Sequence, residues 1–245
     1  MFDPVVVIPV YDHGPSAMHL VQLVRQLGLP CIVVDDGSKA QCAAMLDAVG
    51  KLPGVHLVRL AINQGKGAAV MAGLRSALLQ GHTHALQIDG DGQHNVFDIP
   101  AFLELSLKNP NAVICGNPVY DSSVPRLRLV ARYATHVWVW INTLSLTIRD
   151  SMCGFRVYPL AAVVELIDTE RLGRRMDFDI EVLVRLHWRG VRVVNRQTCV
   201  TYPSGGISHF HLWRDNLLIS VMHARLLFGM ILRLPRLLWR QVRVS

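Results

Sequence analysis

The chain has 245 residues, 51% of them hydrophobic, and a formal net charge of +7. That is enough for one large domain with a sizeable core, or a domain with an appendage. Five cysteines at 31, 42, 115, 153 and 199, odd in number, scattered and with no C-x-x-C pair, argue against a zinc module and for reduced thiols in a cytosolic setting.

In chain order, β-branched runs alternate with helical spacing. The opening M-F-D-P-V-V-V-I-P lacks a basic n-region and reads as a strand rather than a leader. Val5 to Ile8, Cys31 to Val34, Val55 to Leu60, Ala85 to Ile88 and Ala112 to Ile114 are predicted strands. The helices predicted between them are Ser16 to Leu27, Lys39 to Val49, Gly67 to Leu79 and Ile99 to Leu107. Pro125 to Leu146 and Val182 to Trp188 follow as further helices. Apolar strand, turn and amphipathic helix in alternation predict an α/β fold, a mostly parallel sheet with helices on both faces. No unbroken apolar stretch reaches the ~20 residues of a spanning helix. From Phe210 onward arginines 214, 225, 233, 236, 240 and 243 are offset by one acid, Asp215, so an anionic partner is expected.

Ligands of such sheets bind beyond the carboxyl ends of the strands. The segments expected there are Pro9-Val10-Tyr11-Asp12, Asp35-Asp36-Gly37-Ser38, Asn63-Gln64-Gly65-Lys66-Gly67 and Ile88-Asp89-Gly90-Asp91-Gly92-Gln93-His94. If Asp89 and Asp91 continue the strand they point to one side, and two adjacent carboxylates repel unless a cation lies between them. Mg²⁺ and similar hard ions take one or two carboxylates plus substrate phosphates. The competing use of D-G-D-G is a plain polar turn. Asp36 can equally cap the following helix. Gly65-Lys66-Gly67 opens a helix whose free N–H groups suit an anion, without Walker A spacing.

Together V-I-P-V-Y, V-V-D-D-G-S, N-x-G-K-G-A-A, I-D-G-D-G-Q-H and the later D-S-M-C-G-F-R (Asp150 to Arg156) resemble glycosyltransferase family 2, over roughly residues 5 to 215. Within that family the chain looks like the dolichyl- or polyprenyl-phosphate mannose and glucose synthases. The resemblance implies a Rossmann-like GT-A domain over 1–210, a divalent metal, Mg²⁺ or Mn²⁺, and inversion at the anomeric carbon. It implies a nucleotide-sugar site of Pro9, Tyr11, Asp12, Asp36, Lys66 and Asp89, with Asp91 and Gln93 holding the metal. Asp12 followed by His13 departs from the Glu often found there.

On the acceptor side it implies Arg128, Arg132, Arg156 and Arg214 as phosphate contacts. Asp150 is a base for a hydroxyl acceptor, whereas a phosphate acceptor, already ionised, needs none. Asp179 is a second candidate base, although the family's E-D pair is missing here. Ser204 to Phe210, with His209, is either a lid or a linker. Residues 211–245 are expected to form amphipathic, basic helices, kinked or broken at Pro235. Their arginine face would meet lipid head groups, with Leu226, Leu227, Met230, Ile231, Leu234, Leu237, Leu238 and Trp239 in the acyl boundary; packing on the domain is the other possibility. The expected partners are a nucleotide-sugar donor, a lipid or lipid-phosphate acceptor and a membrane surface, not nucleic acid. The expected location is cytoplasmic, peripheral on the inner face of a membrane. A sugar nucleotidyltransferase would need a Gly-rich basic loop after the first strand, which P-V-Y-D-H-G does not supply; an inert binding module has no use for the acidic pair.

Overall fold

The computed structural model describes residues 1–120, 126–201 and 212–244. Seven strands form one sheet: β1 (Pro4–Val10), β2 (Cys31–Asp35), β3 (Val55–Arg59), β4 (His84–Gln87), β5 (Ala112–Tyr120), β6 (Arg156–Pro159) and β7 (Arg192–Val200). The helices are α1 (Gly14–Gln26), α2 (Ala40–Val49), α3 (Lys66–Leu79), α4 (Ile99–Lys108), α5 (Arg126–Thr143), α6 (Leu160–Thr169), α7 (Phe178–Trp188) and α8 (Leu212–Val244).

The strand order is β3-β2-β1-β4-β6-β5-β7. Strand β6 runs antiparallel to both its neighbours, and the other pairings are parallel. The mostly parallel α/β sheet expected from the alternation is therefore present. Strands β1, β2 and β4 are buried along nearly their whole length, because helices cover both faces. Alternate residues serve the two layers. Val5 and Val7 join one cluster with α3, α6 and α7, while Val6, Ile8 and Val10 join the other with α1, α2 and α4.

The order reverses between β1 and β4, which both pair in parallel while β2 lies on the other side of β1. A crevice at such a reversal is where open α/β sheets take ligands. The chain leaves β4 there: Ile88 N–H still donates to the Val7 carbonyl at 3.1 Å, and Asp89 follows.

Helix α8 differs from the expected tail. It is a single helix that continues through Pro235. Ile231 and Pro235 are both exposed, so the carbonyl that Pro235 leaves without a donor is on the open side. Ile219, Met222, Leu226, Met230 and Leu237 are buried in the same cluster as Val5 and Val7. Three of the arginines expected to face lipid turn to the domain instead. Arg225 donates to Glu181 at 2.6 Å, Arg233 lies over the Trp188 ring at 4.8 Å, and Arg240 donates to the Trp188 carbonyl at 2.8 Å. Trp213–Arg240 is also long and apolar enough to cross a membrane by length and composition, contrary to the reading that looked for an unbroken apolar run. Arginines at 214, 225, 233, 236 and 240 break that run in the sequence; the helix collects three of them on its inner side.

Candidate active site

Four strand ends bring their polar residues to one rim. Beyond β1, Asp12 takes a positive φ of 55° and ties two segments together: its N–H donates to Ser38 Oγ at 3.1 Å, and its carboxylate accepts from Lys39 N–H at 2.8 Å. Pro9 is buried within β1 and Tyr11 is half-buried just past it. Beyond β2, buried Asp36 accepts from Gln64 N–H at 2.7 Å, Gly65 N–H at 2.9 Å and Asn63 Nδ2 at 3.1 Å. It does not cap the next helix; it anchors the loop that opens α3. A carboxylate has about four acceptor sites, so one remains. Burial raises the Asp36 pKa above the usual carboxylate value.

One of the N–H groups expected to meet an anion at the N-terminus of α3 is already taken. Ala68 N–H donates to the Arg174 carbonyl at 2.9 Å. A Cβ on Gly67 would stand 2.4 Å from Phe178 Cβ, so glycine lets the 173–178 segment close over this end. Lys66 does not lie open to a diphosphate either. Its ammonium sits 2.7 Å from Asp89 Oδ2 and 2.7 Å from Asp179 Oδ2. Burial alone would depress that ammonium; the two carboxylates reverse the effect and hold it protonated well above the usual lysine range.

Asp89 and Asp91 are brought together by a turn rather than by the pleat of a strand, since β4 ends at Gln87 and Gly90-Asp91 turns. They nevertheless feel each other's charge. Burial, then the Asp89 charge, raises the Asp91 pKa. Burial opposes ionisation of Asp89, but Lys66 and then His94 outweigh it and hold that carboxyl below the usual range. Asp91 also accepts from Gln93 N–H at 3.0 Å, closing the turn. Asp89 Oδ1 is buried with no hydrogen-bond partner. A Cβ on Gly154 would stand 2.1 Å from Asp89 Oδ2, so Gly154 backs directly onto this carboxylate. An orphaned, ionised oxygen beside a second acid and an amide is an oxygen donor set that fits a divalent ion of the Mg²⁺ or Mn²⁺ kind. Among the described residues no group of three or more His, Cys, Asp and Glu is gathered for a metal. His94 packs on Phe155 with ring centroids 5.5 Å apart, and burial lowers its pKa.

The two acids expected as bases are both engaged. Asp150 takes Arg132 Nε at 2.6 Å and the same guanidinium's NH2 at 2.7 Å, Met152 N–H and Cys153 N–H at 2.8 Å each, and His136 Nε2 at 3.4 Å. Burial opposes its charge, yet His136 and Arg132 prevail and hold the carboxyl far below its usual value. It has no lone pair left for a proton. Asp179 is occupied by Lys66 and by Gln87 Nε2 at 3.2 Å. Arg156 is not a surface contact for an acceptor: it is fully buried and donates to the Asp179 carbonyl at 2.6 Å and the Ser151 carbonyl at 2.7 Å. Arg214 is exposed in the first turns of α8. Arg128 belongs to α5 with its side chain outside the described part, and 204–210, with His209, lie outside the described residues. Cys153 is a packed residue whose thiol burial pushes up, not a nucleophile.

Gln87, His136, Arg174 and Glu181 join these contacts without having been expected from the sequence. A glutamine inside the apolar run Ala85 to Ile88, and a histidine four residues after Arg132 on one helix face, were signals available for the first two.

The chain matches the family model described as glycosyl transferase family 2 over residues 5–162. It is 27% identical to the undecaprenyl-phosphate mannosyltransferase of Micrococcus luteus, over 82% of this chain and 87% of that one. It is 31% identical to the dolichyl-phosphate beta-glucosyltransferase of Homo sapiens, over 62% of this chain and 49% of that one, so it spans about half of that relative's length. Among solved structures it resembles glucosyl-3-phosphoglycerate synthase from Mycobacterium tuberculosis, crystallised with Mn²⁺, uridine diphosphate and phosphoglyceric acid, with a TM-score of 0.65 at 16% identity, covering 94% of this chain and 78% of that one. That likeness shows the GT-A fold. The family match covers more than half of the sequence and includes the turn at Asp89 and Asp91: the chain belongs to glycosyl transferase family 2 and is a glycosyltransferase.

Proposed function

We propose that this enzyme moves a sugar, with inversion, from a UDP- or GDP-linked donor to a lipid phosphate of the polyprenyl type at a membrane surface. The observation that carries the reading is the buried, unpartnered Asp89 Oδ1 beside Asp91, at the point where the strand order reverses. Asp91, Gln93 and Asp89 Oδ1 would hold a divalent cation, which when bound draws off the negative charge that the departing nucleoside diphosphate accumulates. Asp36, with its remaining acceptor site, faces the base of the nucleotide, and Asp12, Tyr11 and Pro9 line the same end of the crevice.

A phosphate acceptor is supported by the state of the acids. Asp150 is saturated by Arg132, His136 and two N–H groups, and Asp179 is held by Lys66. Neither is free to take a proton from a hydroxyl, and a phosphate nucleophile has none to give up. Arg128, one turn before Arg132 on α5, is the candidate contact for that phosphate. The relatives named for undecaprenyl- and dolichyl-phosphate transfer support the same acceptor class.

Attachment to a membrane surface, in this reading its inner, cytoplasmic face, draws on the exposed apolar side chains on the outer side of α8 and α5. Trp213, Leu217, Val221, Phe228 and Leu232 on α8 are exposed, as are Tyr133, Val137 and Ile141 on α5. This apolar surface, not an arginine face, is the side offered to lipid.

The test is turnover of UDP-glucose and GDP-mannose with undecaprenyl phosphate in detergent, with Mn²⁺, Mg²⁺ or a chelator. The expected result is transfer from one donor that the chelator abolishes and that Asp91→Ala removes. Metal-independent transfer, or binding of neither nucleoside diphosphate with Mn²⁺ present, sinks the proposal.

A further inference from the structure

The pair at Asp89 raises a physical problem. A lysine ammonium 2.7 Å from a carboxylate competes with any metal for that carboxylate, because both seek the same negative charge. Yet Lys66 is buried in the middle of the candidate metal site. The structure resolves the conflict with a third group. Asp179 Oδ2 lies 2.7 Å from the same ammonium, on the first turn of α7, where the helix dipole favours an anion. Gln87 Nε2, donating at 3.2 Å, and Arg156 NH1, 3.8 Å away, steady the other Asp179 oxygen. Asp89 is then bonded to Lys66 through Oδ2 only, and Oδ1 is left unpartnered.

Resting on the reading of Asp89 and Asp91 as a metal site, we propose that Asp179 is a positioning residue that draws off the charge of Lys66. Lys66 shares its charge between Asp179 and Asp89, so Asp89 keeps one oxygen available for the divalent ion. Without Asp179, Lys66 has only Asp89 to pair with and closes on it as a competitor. This differs from a general base at Asp179, which would touch the acceptor, and from a lysine that binds the diphosphate.

The readout is Mn²⁺ affinity, followed by the electron paramagnetic resonance of free Mn²⁺ with UDP or GDP present, whichever nucleotide retains the ion on the unsubstituted protein. Asp179→Asn is expected to weaken Mn²⁺ binding by about ten- to a hundredfold, the usual cost of losing a partner of a metal ligand. Lys66→Met alone is expected to bind Mn²⁺ at least as tightly as the unsubstituted chain. Lys66→Met in the Asp179→Asn background is expected to restore most of the loss, because the competing ammonium is gone. A purely structural role for Asp179 predicts no such restoration.

Unchanged Mn²⁺ affinity in Asp179→Asn with turnover abolished overturns the proposal in favour of a base. A double variant as weak as Asp179→Asn, or a Lys66→Met variant that binds Mn²⁺ more weakly than the parent, overturns it as well. Should Asp179→Asn fail to fold, as judged by its thermal transition, the Lys66→Met arm alone decides. If the unsubstituted protein retains no Mn²⁺ with either nucleotide, the functional reading itself has failed, which is a separate result.

Discussion

Asp150 shows how far a residue's partners decide its chemistry. The family resemblance made it a candidate base for a hydroxyl acceptor. The folded chain surrounds it instead with Arg132, His136 and the N–H groups of Met152 and Cys153. Those last two bonds fix the turn that leads to Gly154, and Gly154 supports Asp89. Asp150 therefore supports, at one remove, the acid proposed to hold the metal. Asp150→Asn takes the carboxylate away from the largely buried Arg132 guanidinium, at an expected cost of about 3–5 kcal/mol at neutral pH. The pH dependence has a definite sign. A carboxyl whose folded pKa is depressed contributes stability that is complete above its unfolded value, near 3.9, and is lost as pH falls toward the folded value. Urea unfolding of both proteins from pH 7 downward should show a difference that is constant above about pH 5 and shrinks below about pH 4. A difference independent of pH over that range refutes the ion-pair account.

At the scale of elements, α8 is where reading along the sequence and reading in three dimensions part. The period of three to four residues in the tail was legible, and it gave amphipathic helices with two unlike sides, though not their continuation through Pro235. Which side faces inward was not, because that depends on Glu181 and Trp188, which lie on α7 and are distant in sequence. An arginine stripe looks solvated until a buried carboxylate and an aromatic ring are found beneath it. By contrast, the first five strands and the helices between them were legible within a residue or two at most ends, since each strand is an apolar run bounded by Gly, Pro or acids. Strand β6 was hidden because Arg156 interrupts its apolar pattern, and β7 because its outward residues are polar. Leu217, Val221, Phe228, Leu232 and Trp239 fall within an arc of about 60° at 3.6 residues per turn. If that arc enters the acyl boundary, serine at 217, 228 and 232 together should lower binding to anionic lipid vesicles at least about tenfold, since each side chain forfeits part of a 1.5–3 kcal/mol transfer term. Thermal stability and nucleotide binding with Mn²⁺ should not change, because these side chains are exposed. If vesicle binding instead tracks Arg236→Ala and ignores the serine variant, contact is made through charge.

For the molecule as a whole, the question is whether 211–245 is a removable tail or part of the folded body. The sequence suggested the former, since basic content rises after Phe210 and a Gly-rich stretch precedes it. The core argues for the latter. Ile219, Met222, Leu226, Met230 and Leu237 pack in one cluster with Val182, Leu186 and Trp188 of α7 and, through them, with β1 and α3. Glu181, fully buried, is bound at once by Arg225 of α8, Arg185 of α7 and the N–H of Gly173. That last residue begins the segment whose Arg174 carbonyl caps α3 beside Lys66. Deleting α8 would expose those five side chains, each worth about 1.5–3 kcal/mol when fully buried, and strip a buried acid of one of its cations. The total, roughly 8–15 kcal/mol as an upper bound, equals the whole stability of an ordinary domain. A chain ending at residue 211 is thus expected to give insoluble or molten protein, with no cooperative thermal transition and no Mn²⁺-dependent nucleotide binding. A soluble, cooperatively folding 1–211 fragment that retains nucleotide binding would mean that α8 is an appendage, and that its contacts with Glu181 and Trp188 stabilise the helix rather than the site.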